Sequence, residues 1–117
     1  MKIRKIRRVP DRMVAISEIE QLSRKIAVEL DVEKIILFGS YAQGTARDDS
    51  DIDLFVVVNT NLPPDERYVA VRKIAARFPA SFDLVVRTPE EYARSRSIVN
   101  TIAYFADKYG RVLYEQH

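Results

Sequence analysis

The sequence predicts an α/β (α+β) fold, in which a short mixed sheet is covered by helices mainly on one side. Short apolar runs that are rich in β-branched residues indicate buried strands at residues 34–38, 51–58 and 82–87. Longer segments, in which apolar residues recur every three or four positions, flank these runs and indicate helices with one buried face. Strands that alternate with such helices are typical of a sheet layered against helices.

The first half of the chain reads as a helix, a strand, a polar connection and a second strand. Helical spacing over residues 13–30 is carried by Ile16, Ile19, Leu22, Ile26 and Leu30. The strand at 34–38 ends at Gly39, and one helical turn is predicted to start at Ser40 within the polar connection. The strand at 51–58 follows and is apolar after its first three residues.

Proline, threonine and glycine divide the second half. A helix cannot easily continue into Pro79, Thr88 is a good N-cap, and Gly110 is a common kind of helix stop. The predicted elements are therefore a helix over 64–77, a strand over 82–87, a helix from Pro89, a helix over 97–109 and a strand over 111–114.

Composition bounds the class of protein. The chain has 117 residues, 47% apolar and 31% charged, which is typical of one soluble globular domain. The absence of cysteine excludes disulfides, thiolate metal sites and a cysteine nucleophile, and favours a cytoplasmic location. No apolar run approaches the roughly 20 residues that cross a membrane, so no membrane association is expected.

The net charge of +2 combines two unlike segments. Residues 1–12 hold six basic residues and one acid, a local charge of +5, which leaves −3 for residues 13–117. We therefore divide the chain into a basic N-terminal arm, 1–12, and a single domain, 13–117. The arm can contact RNA weakly or an acidic protein surface, or it is a solvated edge strand whose charges prevent aggregation.

An aspartate pair, Asp51 and Asp53, begins the second strand. Strand side chains alternate, so both carboxylates point to one face, where they repel each other and resist burial. A divalent cation such as Mg²⁺ or Mn²⁺ removes that penalty, and Mg²⁺ favours one or two carboxylates together with substrate phosphates. The alternative is structural: Asp51 ends a loop and Asp53 caps a helix.

A third carboxylate, Asp83, stands near the start of the next strand. If this strand lies beside the second one, Asp83 reaches the same site. Three carboxylates can hold two metal ions about 3.5–4 Å apart, as in-line phosphoryl transfer requires. Taken alone, Asp83 is better explained as a solvated strand end, so its value as a candidate ligand comes from the pair Asp51 and Asp53.

The turn at Gly39 and Ser40 is a candidate phosphate site, since glycine permits close approach and a serine hydroxyl can donate to phosphate. The structural alternative is that Ser40 only caps the helical turn. The sequence Thr45-Ala46 after Gly44 excludes a P-loop, which requires lysine followed by serine or threonine there.

Together these motifs resemble a known family. Gly39-Ser40-Tyr41-Ala42-Gln43-Gly44, followed by Ser50-Asp51-Ile52-Asp53-Leu54, is similar to the signature of the nucleotidyltransferase superfamily that includes DNA polymerase beta, and in particular to its minimal prokaryotic members. The resemblance covers residues 35–87 well and implies the polymerase-beta-like palm fold. A haloacid-type phosphatase also uses Asp-x-Asp after a strand, but here the strand continues through Leu54.

The resemblance also implies a site and a reaction. Asp51, Asp53 and Asp83 would be the metal ligands and catalytic carboxylates, with two Mg²⁺ ions. Gly39 and Ser40 would hold phosphates of ATP. Many relatives carry Arg or Lys where this chain has Gln43, and Arg47 is the candidate replacement in nucleotide binding.

Many small relatives of this kind pair with a helical HEPN-type toxin. The resemblance implies transfer of AMP to a tyrosine of that partner, with this chain as antitoxin; a template-reading polymerase would need further domains. The alternative is a catalytically weak or inactive antitoxin that neutralises its partner by contact. The chain's own tyrosines, Tyr92, Tyr104, Tyr109 and Tyr114, are expected to pack in the core or an interface.

Overall fold

The computed structural model describes residues 13–116. The elements in this range are α1 (Ile16–Glu29), β1 (Val32–Phe38), α2 (Ser40–Gln43), β2 (Ile52–Val58), α3 (Pro64–Ala75), β3 (Phe82–Arg87), α4 (Pro89–Ser95), α5 (Ile102–Tyr109) and β4 (Arg111–Glu115). The basic arm, residues 1–12, lies outside the described residues, so its expected contacts stay predictions.

The four strands form one mixed sheet in the order β3-β2-β1-β4. β1 pairs antiparallel with both β2 and β4, whereas β2 and β3 are parallel. A parallel pair needs a crossover between its strands, and α3 supplies it. This crossover brings the start of β3 beside the start of β2, which is the arrangement that the prediction for Asp83 required.

Side-chain alternation gives the sheet two buried faces. On one face, Ile35 of β1 and Leu54 of β2 pack against the two longest helices, α1 and α3. On the other face, Ile36 and Phe55 pack against Tyr92 of α4 and the alanines of α5. The longer helices thus lie on one side, as expected. The two short helices, α4 and α5, cover part of the second face, whereas the sequence predicted helices mainly on one side.

One helix boundary in the sequence analysis is wrong. The last helix begins at Ile102, not at residue 97, because Thr101 caps it by accepting a hydrogen bond from the Tyr104 N–H at 3.1 Å. Just before that cap, Asn100 has a φ of +74°, which no helix can accommodate. Residues 96–101 are turns instead. The other predicted helices and strands are present, with bounds that differ by up to three residues.

Gly110 joins α5 closely to β1. A Cβ at this position would overlap the Ala106 carbonyl oxygen and Cγ2 of Ile36, and would lie 2.9 Å from the Leu37 carbonyl oxygen. The predicted stop signal therefore also permits close packing. Among the described helices, none has the length and apolar character that a membrane span requires.

Candidate active site

The three predicted carboxylates lie at one end of the sheet. Asp53 and Asp83 are register partners on the parallel strands β2 and β3, so their side chains leave the same face side by side. Asp51 lies two residues before Asp53, immediately before β2. Asp51 and Asp53 are half-buried, whereas Asp83 is exposed to solvent. The conditional prediction that β3 would lie beside β2 is confirmed.

Gly39 meets the Asp53 carboxylate directly. Its φ and ψ are +72° and −152°, a backbone conformation that is essentially restricted to glycine. A Cβ on Gly39 would overlap Oδ2 of Asp53 and lie 2.9 Å from its Cγ. The glycine turn and the aspartate strand are therefore parts of one site, since no larger residue fits between them.

Ser40 is the first residue of α2, and Gly39 is the N-cap. The alternative in which Ser40 only caps this helical turn is therefore wrong. The amides of Ala42 and Gln43 both donate to the Gly39 carbonyl oxygen at 3.1 Å. Tyr41 in this turn is buried, and its hydroxyl accepts a hydrogen bond from the Val14 N–H at 3.2 Å, which connects the turn to the residues before α1.

Arg47 lies on the exposed connection between α2 and β2. Its backbone is held in a turn, since the Arg47 N–H donates to the Ser50 hydroxyl at 2.8 Å and the Ser50 N–H donates back to the Arg47 carbonyl at 3.0 Å. Arg47 thus precedes the aspartates by a short, ordered turn, and its part in nucleotide binding stays a prediction.

Gln43, which departs from the family pattern, connects the turn to α5. Its Nε2 donates to the Tyr109 carbonyl oxygen at 3.3 Å. Between these elements lies an open groove of about 460 Å³, lined by Phe38, Gly39, Gln43, Phe105 and Tyr109. This groove was not among the features predicted from the sequence. Its signal was available in α5, where the large residues Ile102, Phe105 and Tyr109 and the small residues Ala103 and Ala106 occupy different faces.

Tyr92 belongs to the core and not to the site. It is 4% exposed, and its hydroxyl donates to Oδ1 of Asp107 at 2.6 Å. Burial and the nearby Asp107 carboxylate raise the pKa of Tyr92 well above its ordinary value. This hydrogen bond joins α4 to α5. The expectation of a packing role is confirmed for Tyr92, whereas Tyr109 is about half exposed.

The donor chemistry of the site fits a hard divalent cation. Asp51, Asp53 and Asp83 offer only carboxylate oxygens, and Oδ1 of Asp51 is buried. Within residues 13–116, however, no three acidic or histidine side chains converge closely enough to hold an ion by themselves. The arrangement fits an ion that is shared between one or two carboxylates and substrate phosphates, which is how Mg²⁺ is commonly bound.

Comparison with known proteins agrees with this arrangement. The family described as Polymerase beta, Nucleotidyltransferase matches residues 20–117. A Methanocaldococcus jannaschii protein, provisionally named a protein adenylyltransferase, is 30% identical over 76 residues, covering 63% of this chain and 76% of that protein. The protein adenylyltransferase MntA of Shewanella oneidensis is 39% identical over 54 residues, covering 46% of this chain and 39% of MntA.

A solved toxin–antitoxin complex with AMP-PNP contains a chain with the same fold. That chain is 29% identical, with a TM-score of 0.62, and the match covers 84% of this chain and 74% of that one. Because the family match begins within α1 and continues through the strands that carry the aspartates to the last residue of the chain, this protein belongs to the polymerase beta nucleotidyltransferase family.

Proposed function

We propose that this protein is a metal-dependent protein adenylyltransferase that moves AMP from ATP onto a tyrosine hydroxyl of a HEPN-type toxin and thereby acts as its antitoxin. One observation carries the proposal: Asp53 and Asp83 stand side by side in register, next to a glycine turn that contacts the Asp53 carboxylate. Acidic oxygens and a close backbone turn at one sheet edge suit phosphoryl chemistry.

The residues divide the reaction between them. Asp51, Asp53 and Asp83, together with substrate phosphates, would hold two Mg²⁺ ions, or Mn²⁺, and Gly39, Ser40 and Arg47 would hold the triphosphate. Cations held by these carboxylates would supply positive charge that offsets the negative charge developing during phosphoryl transfer. Asp83 is the exposed carboxylate, so it is the one that an acceptor from another protein reaches first.

The transfer balances without any further reactant. The tyrosine oxygen attacks the α-phosphorus of ATP, and the bond from that phosphorus to the bridging oxygen breaks. Pyrophosphate leaves, and the phenolic proton passes to the Asp83 carboxylate. Placing the acceptor beside a fixed carboxylate converts a bimolecular step into a step within one complex, which is a major source of rate enhancement.

Two similarities support the acceptor and the nucleotide. The Shewanella relative carries the name protein adenylyltransferase, and the structural neighbour is a toxin–antitoxin complex with an ATP analogue. The aligned segment spans 39% of that relative's length, so the whole relative's activity is a hypothesis for this chain.

The test uses the full chain, a HEPN-type candidate partner, and labelled ATP, GTP, CTP or UTP with Mg²⁺. We expect a mass increase of one AMP per modified tyrosine on the partner, dependent on Mg²⁺. The variant with Asp51→Asn and Asp53→Asn should lose transfer. A variant with Asp48→Asn and Asp49→Asn removes two exposed carboxylates of the preceding connection and should retain it.

The same variants separate catalysis from simple contact. If the Asp51→Asn, Asp53→Asn variant still suppresses toxin activity as well as the unchanged protein does, the protein neutralises its partner by binding and the enzymatic proposal is wrong. Absence of transfer from all four nucleotides leads to the same conclusion. A loss of neutralisation together with a loss of transfer supports the proposal.

A further inference from the structure

Helix α5 carries its large apolar side chains on the outside. Ala103 and Ala106 face the sheet and are buried, whereas Phe105 and Tyr109 are 46% and 52% exposed. Small residues on the inner face let the helix lie close to Ile36 and Phe55, and the aromatic rings remain on its outer surface. Exposed apolar groups that are concentrated beside a groove commonly mark a binding surface.

These rings form one wall of the groove described above. The rings of Phe105 and Tyr109 are stacked, with 26° between their planes and 6.1 Å between their centroids. Phe38 and Gly39 also line the groove, and Gln43 connects the turn to α5 by donating to the Tyr109 carbonyl oxygen. At about 460 Å³, the groove lies within the range of small-molecule sites, roughly 300–1,000 Å³.

Gly39 belongs both to this groove and to the carboxylate site. It lines the groove on one side and contacts the Asp53 carboxylate on the other. A ligand that occupies both places therefore needs a charged, metal-binding end and a flat, largely apolar end. A nucleoside triphosphate has this form, because its phosphates bind cations and its base has two π-faces.

We propose that this groove is the nucleobase subsite, with Phe105 and Tyr109 as its apolar wall. The inference rests on the proposed function and adds to it the place of the base and two side chains that determine nucleotide affinity. Because every base has a π-face, an aromatic wall contributes affinity without selecting strongly among bases. A segment of the protein acceptor is the competing occupant, and the experiment distinguishes the two.

The experiment compares ATP with tripolyphosphate, which lacks the whole nucleoside, base and ribose. Binding of ATP and of inorganic tripolyphosphate, each with Mg²⁺, is measured by calorimetry on the full chain without a partner, and binding of the HEPN-type partner to the same variants is measured separately. Phe105→Ala and Tyr109→Ala should each weaken ATP binding by about 5- to 150-fold, the range for loss of one base–aromatic stack, and leave tripolyphosphate binding unchanged. Phe105→Tyr, unlike Phe105→Ala, should retain ATP binding, because it keeps an aromatic ring at this position.

The matched controls are Ile98→Ala and Val99→Ala. These residues are 54% and 61% exposed, lie on the turn before α5, and do not line the groove. They test whether loss of any exposed apolar side chain from this surface lowers ATP affinity, and both should bind ATP as the unchanged protein does.

Four results would overturn the inference. Equal weakening of ATP and tripolyphosphate binding would mean that the variants disturb the phosphate site. Unchanged ATP binding with weakened binding of the protein acceptor would assign the groove to that acceptor. If the unchanged protein binds neither ligand, the proposed function fails and the inference fails with it, whereas equal ATP binding by Phe105→Ala refutes only the inference.

Discussion

Gly39→Ala should nearly abolish AMP transfer, although it adds only one methyl group. The φ and ψ of Gly39, +72° and −152°, lie where other residues are strained by about 1–3 kcal/mol. The new Cβ would also overlap Oδ2 of Asp53 and stand 2.9 Å from its Cγ. Backbone strain lowers the free energy of unfolding, and the overlap displaces the carboxylate.

The displacement sets the magnitude of the catalytic effect. Asp53 lies on β2 and is paired with Phe38 on one side and with Asp83 on the other, so its backbone cannot give way. The side chain must therefore rotate, moving its oxygens by on the order of 1 Å or more. A misplacement of about 1 Å can cost roughly 100-fold in rate. We expect at least that loss, with a loss of stability of about 1–3 kcal/mol.

Gly44→Ala is the matched control. Gly44 has a φ of +76°, but among the described residues, apart from its two chain neighbours, no atom lies within 4 Å of the position its Cβ would take. The control should lose about 1–2 kcal/mol of stability from the left-handed backbone and keep its rate within a few-fold. Urea unfolding gives the stabilities, and AMP transfer is measured where both variants are folded. Equal transfer rates for the two variants would refute the reasoning about Asp53.

Three further predictions concern the scaffold and the arm. Arg67, 6% exposed, donates to both oxygens of Glu91 at 2.7 and 2.9 Å, so Glu91→Gln should cost about 3 kcal/mol in urea unfolding by leaving a buried charge without its partner. Partial burial raises the pKa of Glu91, but the Thr88 N–H, Arg67 and Arg87 outweigh that effect and hold the pKa below 4.5. The stability difference between this variant and the unchanged protein should therefore be complete above pH 4.5 and should shrink as the pH falls through the lowered pKa. A stability difference that does not depend on pH would contradict this reasoning. Gly110→Ala should cost about 1–3 kcal/mol in the same assay, because its Cβ overlaps Ala106 and Ile36; unchanged stability would show that α5 can move away freely. Deletion of residues 1–9 should weaken binding to RNA or to an acidic partner, and equal affinity at low and moderate salt would show that the arm takes no part.

Local patterns were sufficient for most of the fold. The strand Phe82–Arg87 has the predicted bounds, because residues that end or begin helices, Pro79 before it and Thr88 with Pro89 after it, flank its apolar run. Alternation along a strand also placed Asp51 and Asp53 on one face without knowledge of the neighbours. The last helix was predicted too long at its start, because apolar residues at 98 and 99 continue its spacing although they lie on an exposed turn.

Contacts between distant segments could not be read in this way. The meeting of Gly39 with the Asp53 carboxylate depends on how β1 and β2 pair, which no local pattern specifies. The hydrogen bond from Gln43 to Tyr109 spans 66 positions. Gln43 stands where many relatives carry a cationic residue, and in this chain its side chain makes a structural contact with α5. That contact depends on the position of α5, which the local sequence does not specify.

The turn at the end of β1 contacts both the carboxylate site and helix α5. Its glycine leaves room for the Asp53 carboxylate on one side, and its Gln43 fastens the end of α5 on the other. Gly110, at the same end of α5, allows that helix to pack closely against β1 because it has no Cβ. Any change that shifts α5 should therefore move the groove relative to the carboxylates, and nucleotide affinity should fall before the aspartates themselves are disturbed.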